Sequence, residues 1–251
     1  MDTIYRLLVS AHGLVGVVAL VTFWLAAFAK KGSPLHVRTG KVYMSAMIGI
    51  MVTAAPMAAI IGARGHVQNA VFLAYLVVIT ANGVWLGWRA VKRKRDQAGY
   101  RGGAYAAMAL ASLASALVVF VVGQRAGSPL LMGFSGVGAF TGLQMLVRRM
   151  RPLASARWWL KEHFSAMIGC GVATHIAFLS IGLDRLIKAA GLQPPSWYGL
   201  VAWFLPLVGA YQASNALVAA GLCRAAGLSF EDTFAALEKI DGAPGRLQRI
   251  G

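Results

Sequence analysis

Residues 160–182 read LKEHFSAMIGCGVATHIAFLSIG, an apolar run that is long enough to cross a lipid bilayer as a helix. The run carries two of the chain's five histidines, His163 near its start and His175 deep inside it. An ionisable side chain at membrane depth is costly unless it has a partner or a function. His175 is therefore the first candidate for chemistry.

The composition of the whole chain is that of a membrane protein. Of its 251 residues 58% are hydrophobic and 13% are charged, and the mean hydropathy is +0.65. The formal net charge of +16 is spread over short basic clusters between apolar runs. Lys and Arg in such places act as topology signals and bind anionic lipid headgroups. We expect the lipid bilayer and its anionic headgroups as partners, and no nucleic acid.

Apolar runs of about 20 residues predict an all-α fold, a polytopic bundle of seven transmembrane helices. The predicted spans are residues 5–28, 43–63, 69–90, 103–123, 129–148, 161–183 and 197–222. Of the 24 Lys and Arg residues, 19 fall on one side of this topology. The positive-inside rule then places the amino terminus outside and the carboxyl terminus in the cytoplasm, in a multi-pass protein of the bacterial inner membrane.

The same pattern predicts one main domain and a short tail. Residues 1–223 form the transmembrane domain, and residues 224–251 form a cytoplasmic tail. Ser229 and Glu231-Asp232 resemble a capping box that opens an amphipathic helix near residues 230–240. The two cysteines, Cys170 and Cys223, fall at different depths, so no disulfide is expected.

Polar residues inside the predicted spans limit the possible functions. None of the eight acidic residues falls at membrane depth, which disfavours ion-coupled carriers and hydrolytic triads. Neutral polar residues remain, and they either bond between helices or line a cavity. The candidates for a cavity lining are Tyr211, Gln212, Asn215, Asn82 and Gln144.

The histidines sort into two levels. On the predicted topology His12 lies about 10 Å and His175 about 12 Å below the outer boundary, at 1.5 Å per residue. His36 and His163 share the inner level. His163 and His175 are about 18 Å apart along one helix and about 120° apart around it, so one site at His12 and His175 is favoured over two stacked sites.

Three functions fit these residues. The first is a membrane redox protein that holds a b-type haem between His12 and His175 and exchanges electrons with a quinol, with His36 and His163 as further candidate ligands. The second is a membrane enzyme with a zinc or copper site at His12 and His175, with or without Cys170. The third is a permease or an assembly factor, as a homo-oligomer or in a larger membrane complex, whose histidines are structural.

The segment from His12 to Gly16, followed by KGSPLHVRTGKVY at residues 31–43, resembles a family of bacterial multi-pass membrane proteins that has no established activity. That family has a histidine in the first helix, then a short loop with His-Arg, a glycine, a basic residue and a tyrosine. Residues 158–175 are similar too. Val37 replaces the arginine of the loop, and Arg38 follows one place later. The resemblance implies the multi-pass architecture and marks His12, Gly40, Tyr43, His163 and His175.

Overall fold

The computed structural model describes residues 2–151 and 155–194, together with Tyr198 and Ser229. The chain divides into two compact units, Met1–Pro194 and Pro195–Gly251. Apart from Tyr198 and Ser229, everything described below belongs to the first unit. The predicted seventh span at residues 197–222, the amphipathic helix near residues 230–240 and Cys223 lie outside the described residues, Tyr198 excepted.

All regular structure in the described residues is helical, which confirms the all-α class. The helices are α1 (Asp2–Phe28), α2 (Pro34–Ala63), α3 (Val67–Lys92), α4 (Gln97–Tyr100), α5 (Gly103–Arg125), α6 (Pro129–Met150), α7 (Trp158–Ala177) and α8 (Leu183–Ala189). A π-helical turn, Phe178–Gly182, joins α7 to α8. Six stretches of this unit are long and apolar enough to cross a membrane, the last running from Trp158 to Ala189.

The start of α2 differs from the prediction. Hydropathy predicted a span from residue 43, with His36 and Gly40 in a loop, but α2 begins at Pro34. Ser33 caps the helix by accepting a hydrogen bond from the backbone N–H of His36 at 3.2 Å, and Pro34 suits the first helical turn. The basic residues of this turn lower its hydropathy, so a hydropathy criterion does not detect the start of the helix. The pair Ser33-Pro34 is nevertheless typical of a helix start.

Helix α3 is the centre of the unit, because it packs against α2, α5 and α7. Helix α1 packs against α2 and α7, while α5 pairs with α6. The approach of α7 to α3 is close: a Cβ built on Gly83 would lie 2.7 Å from Sγ of Cys170. This position therefore requires glycine, and the contact fixes α7 against the central helix.

Basic side chains close one end of the bundle. The Arg101 guanidinium donates hydrogen bonds to the carbonyl oxygens of Arg148, Arg149 and Arg151 at 3.1, 3.2 and 2.8 Å. The last carbonyls of a helix have no partner within the helix, so this arginine completes the carboxyl end of α6. The connection between α3 and α5 is thereby attached to the end of α6.

Candidate functional site

One face of α2 carries His36 together with Gly40 and Tyr43, two of the residues that the family resemblance marks. His36, Gly40 and Tyr43 follow each other at offsets of four and three residues, and Met47 comes four residues later. At about 100° per residue these four positions share one face of the helix. The segment was predicted to be a loop, but its helical geometry explains the offsets between His36, Gly40 and Tyr43.

Helix α7 repeats the same spacing on the face that it turns toward α2. Its four positions are His163, Met167, Cys170 and Thr174. Each follows its counterpart on α2 by 127 residues, which is the separation of the contacting pair Met47 and Thr174. The two faces therefore run in the same direction and in register.

One contact and one buried cluster support this register. The Thr174 hydroxyl lies 3.4 Å from Sδ of Met47. Tyr43, Met47 and Cys170 belong to the same buried cluster. His36 and His163 are near enough for their charges to interact. We call this arrangement the α2–α7 column, formed by His36, Gly40, Tyr43, Met47, His163, Met167, Cys170 and Thr174.

The two histidines of the column have the same hydrogen-bond environment. Nδ1 of His36 lies 2.9 Å from the carbonyl oxygen of Ala26, and Nδ1 of His163 lies 2.9 Å from that of Gly87. A carbonyl can only accept, so Nδ1 carries the proton in each neutral ring and Nε2 keeps a free lone pair. Within the described part of the chain neither Nε2 has a hydrogen-bond partner. Histidines that bind metals are usually oriented in this way.

Cationic residues cluster at the turn before α2 and in its first turns. Lys31 donates a hydrogen bond to the carbonyl oxygen of Ala26 at 3.1 Å and another to that of Ala27. Partial burial lowers the pKa of Lys31 below its ordinary value. Lys30, Arg38 and Lys41 are exposed on the same turn and the first turns of α2. This end of the column is suited to an anionic group.

The middle of the column contains an unsatisfied donor. Tyr43 is 2% exposed, and its hydroxyl has no hydrogen-bond partner among the residues that the structure describes. The adjacent Thr174 hydroxyl donates to the carbonyl oxygen of Cys170 at 2.8 Å. A buried polar group without a partner costs stability, so the Tyr43 hydroxyl is a candidate for function.

The structure separates His12 from His175. His12 Nδ1 lies 2.9 Å from the Thr53 hydroxyl of α2. Nε2 of His175 instead accepts a hydrogen bond from the Trp24 indole at 3.0 Å. Trp24 is twelve residues from His12 on α1, about 18 Å along the helix. The hydrogen bonds of the two histidines therefore lie at different levels of the bundle, whereas the distances from the helix ends predicted one level.

The predicted metal ligands do not come together. Cys170 is 3% exposed and packs against Gly83 and Tyr43, whereas His175 contacts Trp24. No group of three or more His, Cys, Asp or Glu side chains that could hold a metal ion occurs among residues 2–151 and 155–194. A zinc or copper site built from His12, His175 and Cys170 has no support in this part of the chain.

The predicted cavity residues are only partly described. Asn82 is 1% exposed and donates hydrogen bonds to the Ser112 hydroxyl at 2.6 Å and to Sδ of Met145 at 3.3 Å. Its Oδ1 has no partner in the described part of the chain. Gln144 is half-buried on α6. Tyr211, Gln212 and Asn215 lie outside the described residues. Asn82 thus joins α3 to α5 and α6.

The structure contains a buried ion pair that the sequence did not predict. No acidic residue was expected at membrane depth, and Glu162 lies in the second turn of α7, where it is only 7% exposed. Its carboxylate accepts from the Arg148 guanidinium at 2.5 Å and from the Tyr100 hydroxyl at 3.1 Å. Counting positions from a helix end took no account of neighbouring side chains. Glu162 and Arg148 each lie within a turn or so of a helix end, which was the only available signal.

Comparisons with known proteins give little over most of the chain. No family model matches it, and no solved structure gives a significant match. A short stretch is similar to curated UDP-N-acetylmuramoyl-L-alanyl-D-glutamate–2,6-diaminopimelate ligases. The ligase of Caulobacter vibrioides is 64% identical over 47 residues, and that of Bradyrhizobium diazoefficiens is 51% identical over 83 residues.

These matches are partial on both sides. They take in 19% and 33% of this chain, and 10% and 17% of the two ligases. The ligase of Mesorhizobium japonicum is 55% identical over 47 residues, again 10% of its length. The chain thus spans between a tenth and a sixth of the length of the curated relatives it matches.

Proposed function

We propose that the first unit is a multi-pass membrane redox protein that binds a b-type haem between His36 and His163. One observation carries this proposal: two imidazoles on facing helices each donate Nδ1–H to a backbone carbonyl and leave Nε2 free. Paired neutral imidazoles are common axial ligands of haem iron. A backbone acceptor on the second nitrogen fixes the tautomer and makes Nε2 a better ligand.

The surroundings of the pair are compatible with a flat, anionic macrocycle. Gly40 lies one turn after His36 on the same face, and a Cβ built there meets nothing within 4 Å. Lys30 and Lys31, in the turn before α2, would supply cations for the acidic groups of the macrocycle. The haem would supply one-electron chemistry, and the protein residues would hold and orient it.

The pair at His12 and His175 is the alternative ligand set. It is less favoured because Nε2 of His175 already accepts from Trp24, so iron ligation would require this hydrogen bond to break. His12 would need a partner at its own level of the bundle.

The test is an absorbance spectrum of the purified full-length protein, expressed with added haem precursor, before and after reduction with dithionite. We expect a Soret band and a sharp reduced α band that are lost in His36→Ala and in His163→Ala. They should persist in His12→Ala, His175→Ala and the matched control His66→Ala. Absence of a Soret band, or its loss only in the His12 and His175 variants, would overturn the assignment.

The finer topology is also a proposal. Basic residues collect at the turn before α2, the α3–α5 connection and the end of α6. We infer that these ends face the cytoplasm and contact anionic lipid headgroups in a bacterial inner membrane, with the amino terminus outside. Tags on the amino terminus and on the α3–α5 connection should be accessible from opposite sides of right-side-out vesicles.

The length of the ligase-like stretch is compatible with a place in the second unit. Six of the seven matches are 45–47 residues long, which fits within residues 195–251. The 83-residue match is longer than that unit and would extend into the first. Four of the chain's eight acidic residues lie in the second unit, at Glu231, Asp232, Glu238 and Asp241. We propose that the ligase-like stretch lies there as a water-soluble segment, and we propose no ligase activity for so small a share of the enzyme.

This assignment competes with the predicted seventh span, and one cysteine distinguishes them. Ser214→Cys places a thiol in the middle of residues 197–222, in a chain whose native cysteines are replaced by alanine. A membrane-impermeant maleimide applied to permeabilised membranes should label it if the segment is water-soluble. Leu117→Cys on the exposed face of α5 is the unlabelled control. Protection of the Ser214→Cys thiol equal to that control would restore the seventh span.

A further inference from the structure

His175 is held at the surface of the bundle by two hydrogen bonds of opposite kind. Its Nδ1 lies 2.7 Å from the carbonyl oxygen of Gly171, so Nδ1 carries the proton. Its Nε2 accepts from Nε1–H of Trp24, which is 40% exposed. In this arrangement Nε2 of His175 is the acceptor where α7 meets Trp24 of α1.

Aromatic rings enclose this hydrogen bond. The rings of Phe23 and Trp24 each meet His175 edge to face, with centroids 5.5 Å away. Phe28 stacks on Trp24 at 5.4 Å with an interplanar angle of 18°. Phe23 packs directly on Gly171, where a Cβ would collide with its ring. We call the four side chains of Phe23, Trp24, Phe28 and His175 the aromatic groove.

The aromatic groove opens outward. Phe28 is 50% exposed and Leu25 is 49% exposed on the same stretch of α1, beside Trp24. This stretch lies within a helix that is apolar enough to span a membrane. A bond between an indole N–H and an imidazole at a lipid-facing surface has no water to replace it, so such polar groups at membrane depth usually serve a ligand or a proton path.

We propose that the aromatic groove binds the head group of a lipid-soluble quinone or quinol. The flat ring stacks on Trp24, a quinol hydroxyl donates to Nε2 of His175, and a quinone carbonyl accepts from Nε1–H of Trp24. When the hydrogen bond between Trp24 and His175 opens, it frees an acceptor, Nε2 of His175, and a donor, Nε1–H of Trp24. The acceptor matches the hydroxyl of the quinol, and the donor matches the carbonyl of the quinone. A ligand that arrives through the bilayer reaches the groove laterally.

The electron acceptor in this inference is the haem of the proposed function, on which it rests. Oxidation of one quinol to a quinone releases two electrons and two protons. This would need two ferric haems, one from each of two chains, and Nε2 of His175 in each of those chains would accept one of the two protons. His163 lies twelve residues before His175 on α7, about 18 Å along the helix, so the two sites share one helix without sharing a residue.

The first experiment measures binding without the haem. A photoreactive azidoquinone is added to the full-length protein in nanodiscs, and the labelled peptides are identified by mass spectrometry. We expect labels within residues 21–28 or 171–178, which excess unmodified quinone suppresses at least fivefold. His175→Leu should lower the labelling at least fivefold, and Trp24→Phe, which keeps the ring but loses the N–H, at least threefold. Trp88→Phe, at another exposed tryptophan, is the matched control and should not change it.

The second experiment separates this inference from the haem proposal. In His175→Leu the Soret band should persist, while the rate of haem reduction by a quinol falls at least tenfold. A protein without haem that still labels at the aromatic groove would refute the proposed function alone. Labelling that excess quinone does not suppress, or that His175→Leu and Trp24→Phe leave unchanged, would show that the indole–imidazole hydrogen bond is structural only and would overturn the quinone site.

Discussion

The Glu162 cluster and the α2–α7 column differ in the hydrogen bonding of their buried polar groups. At Glu162 both carboxylate oxygens have a donor, one from Arg148 and one from Tyr100. In the α2–α7 column the buried Tyr43 hydroxyl has no hydrogen-bond partner in the described residues. Satisfied polar groups stabilise a fold, whereas unsatisfied ones reduce stability and persist where a ligand completes them. The contrast predicts that the Glu162 cluster stabilises the fold and that the Tyr43 hydroxyl does not.

The largest expected effect is on cofactor binding. Gly40→Leu fills the open space beside His36, where no atom lies within 4 Å of a Cβ. The protein should fold normally but lose its Soret absorbance, because the side chain occupies the position of the macrocycle. Gly133→Leu, at an exposed α6 glycine with equally open surroundings, should keep the full absorbance. Equal haem content in both variants would argue against a macrocycle beside Gly40.

The next effect is on stability. Glu162→Gln removes the charge that pairs with Arg148, and removal of one partner of a buried pair costs about 3 kcal/mol or somewhat less here, because Arg148 is 32% exposed. Denaturant unfolding in detergent measures the loss. Arg93→Gln breaks the exposed pair with Asp96 and should leave the unfolding midpoint unchanged. Similar midpoints for both variants would contradict a stabilising role of the Glu162 cluster.

A matched pair of tyrosine substitutions tests the contrast directly. Tyr100→Phe removes the hydroxyl that donates to Glu162 and should cost about 1–2 kcal/mol of unfolding free energy. Tyr43→Phe removes a hydroxyl without a partner and should cost nothing or stabilise the protein slightly. A larger loss in Tyr43→Phe than in Tyr100→Phe would mean that the Tyr43 hydroxyl has a partner in solution, such as a bound water.

The smallest effect concerns pH. The backbone N–H of Gly99 and the Arg93 side chain hold the pKa of Asp96 below its ordinary value. The carboxylate form, which caps α4, is therefore complete above the unfolded pKa of about 3.9 and is lost only as the pH falls through the lower folded value. Amide hydrogen exchange at Gly99 should stay slow down to about pH 4. Acceleration near pH 5 would show that the cap is not formed.

The class of the fold was predictable because length, hydropathy and basic clusters constrain membrane helices strongly. The beginning of α2 was not, since Arg38 and Lys41 lower the local hydropathy of a segment that Ser33 and Pro34 start as a helix. The depth of His175 relative to His12 was not predictable for a related reason. Counting from helix ends ignores how helices slide against each other, and Gly171 sets that position by admitting the Phe23 ring.

The register of α2 and α7 was present in the sequence as a spacing. His36, Gly40 and Tyr43 repeat the offsets of His163, Met167 and Cys170, so each set could be placed on one helical face. What the spacing alone did not show is that the two faces meet, because helices that are neighbours in space are often far apart in the chain. The burial of Glu162 was hidden for the same reason, since its partners Arg148 and Tyr100 come from other helices.

The 127-residue separation of the paired faces also determines when the site can exist. Helices α1 to α3 can pack as soon as they enter the membrane, because their contacts are local in sequence. The column stays open until α7 has been synthesised and inserted, since half of its side chains come from that helix. A cofactor held by His36 and His163 would thus enter a bundle that is otherwise already assembled, and its insertion would be among the last steps in the maturation of the protein.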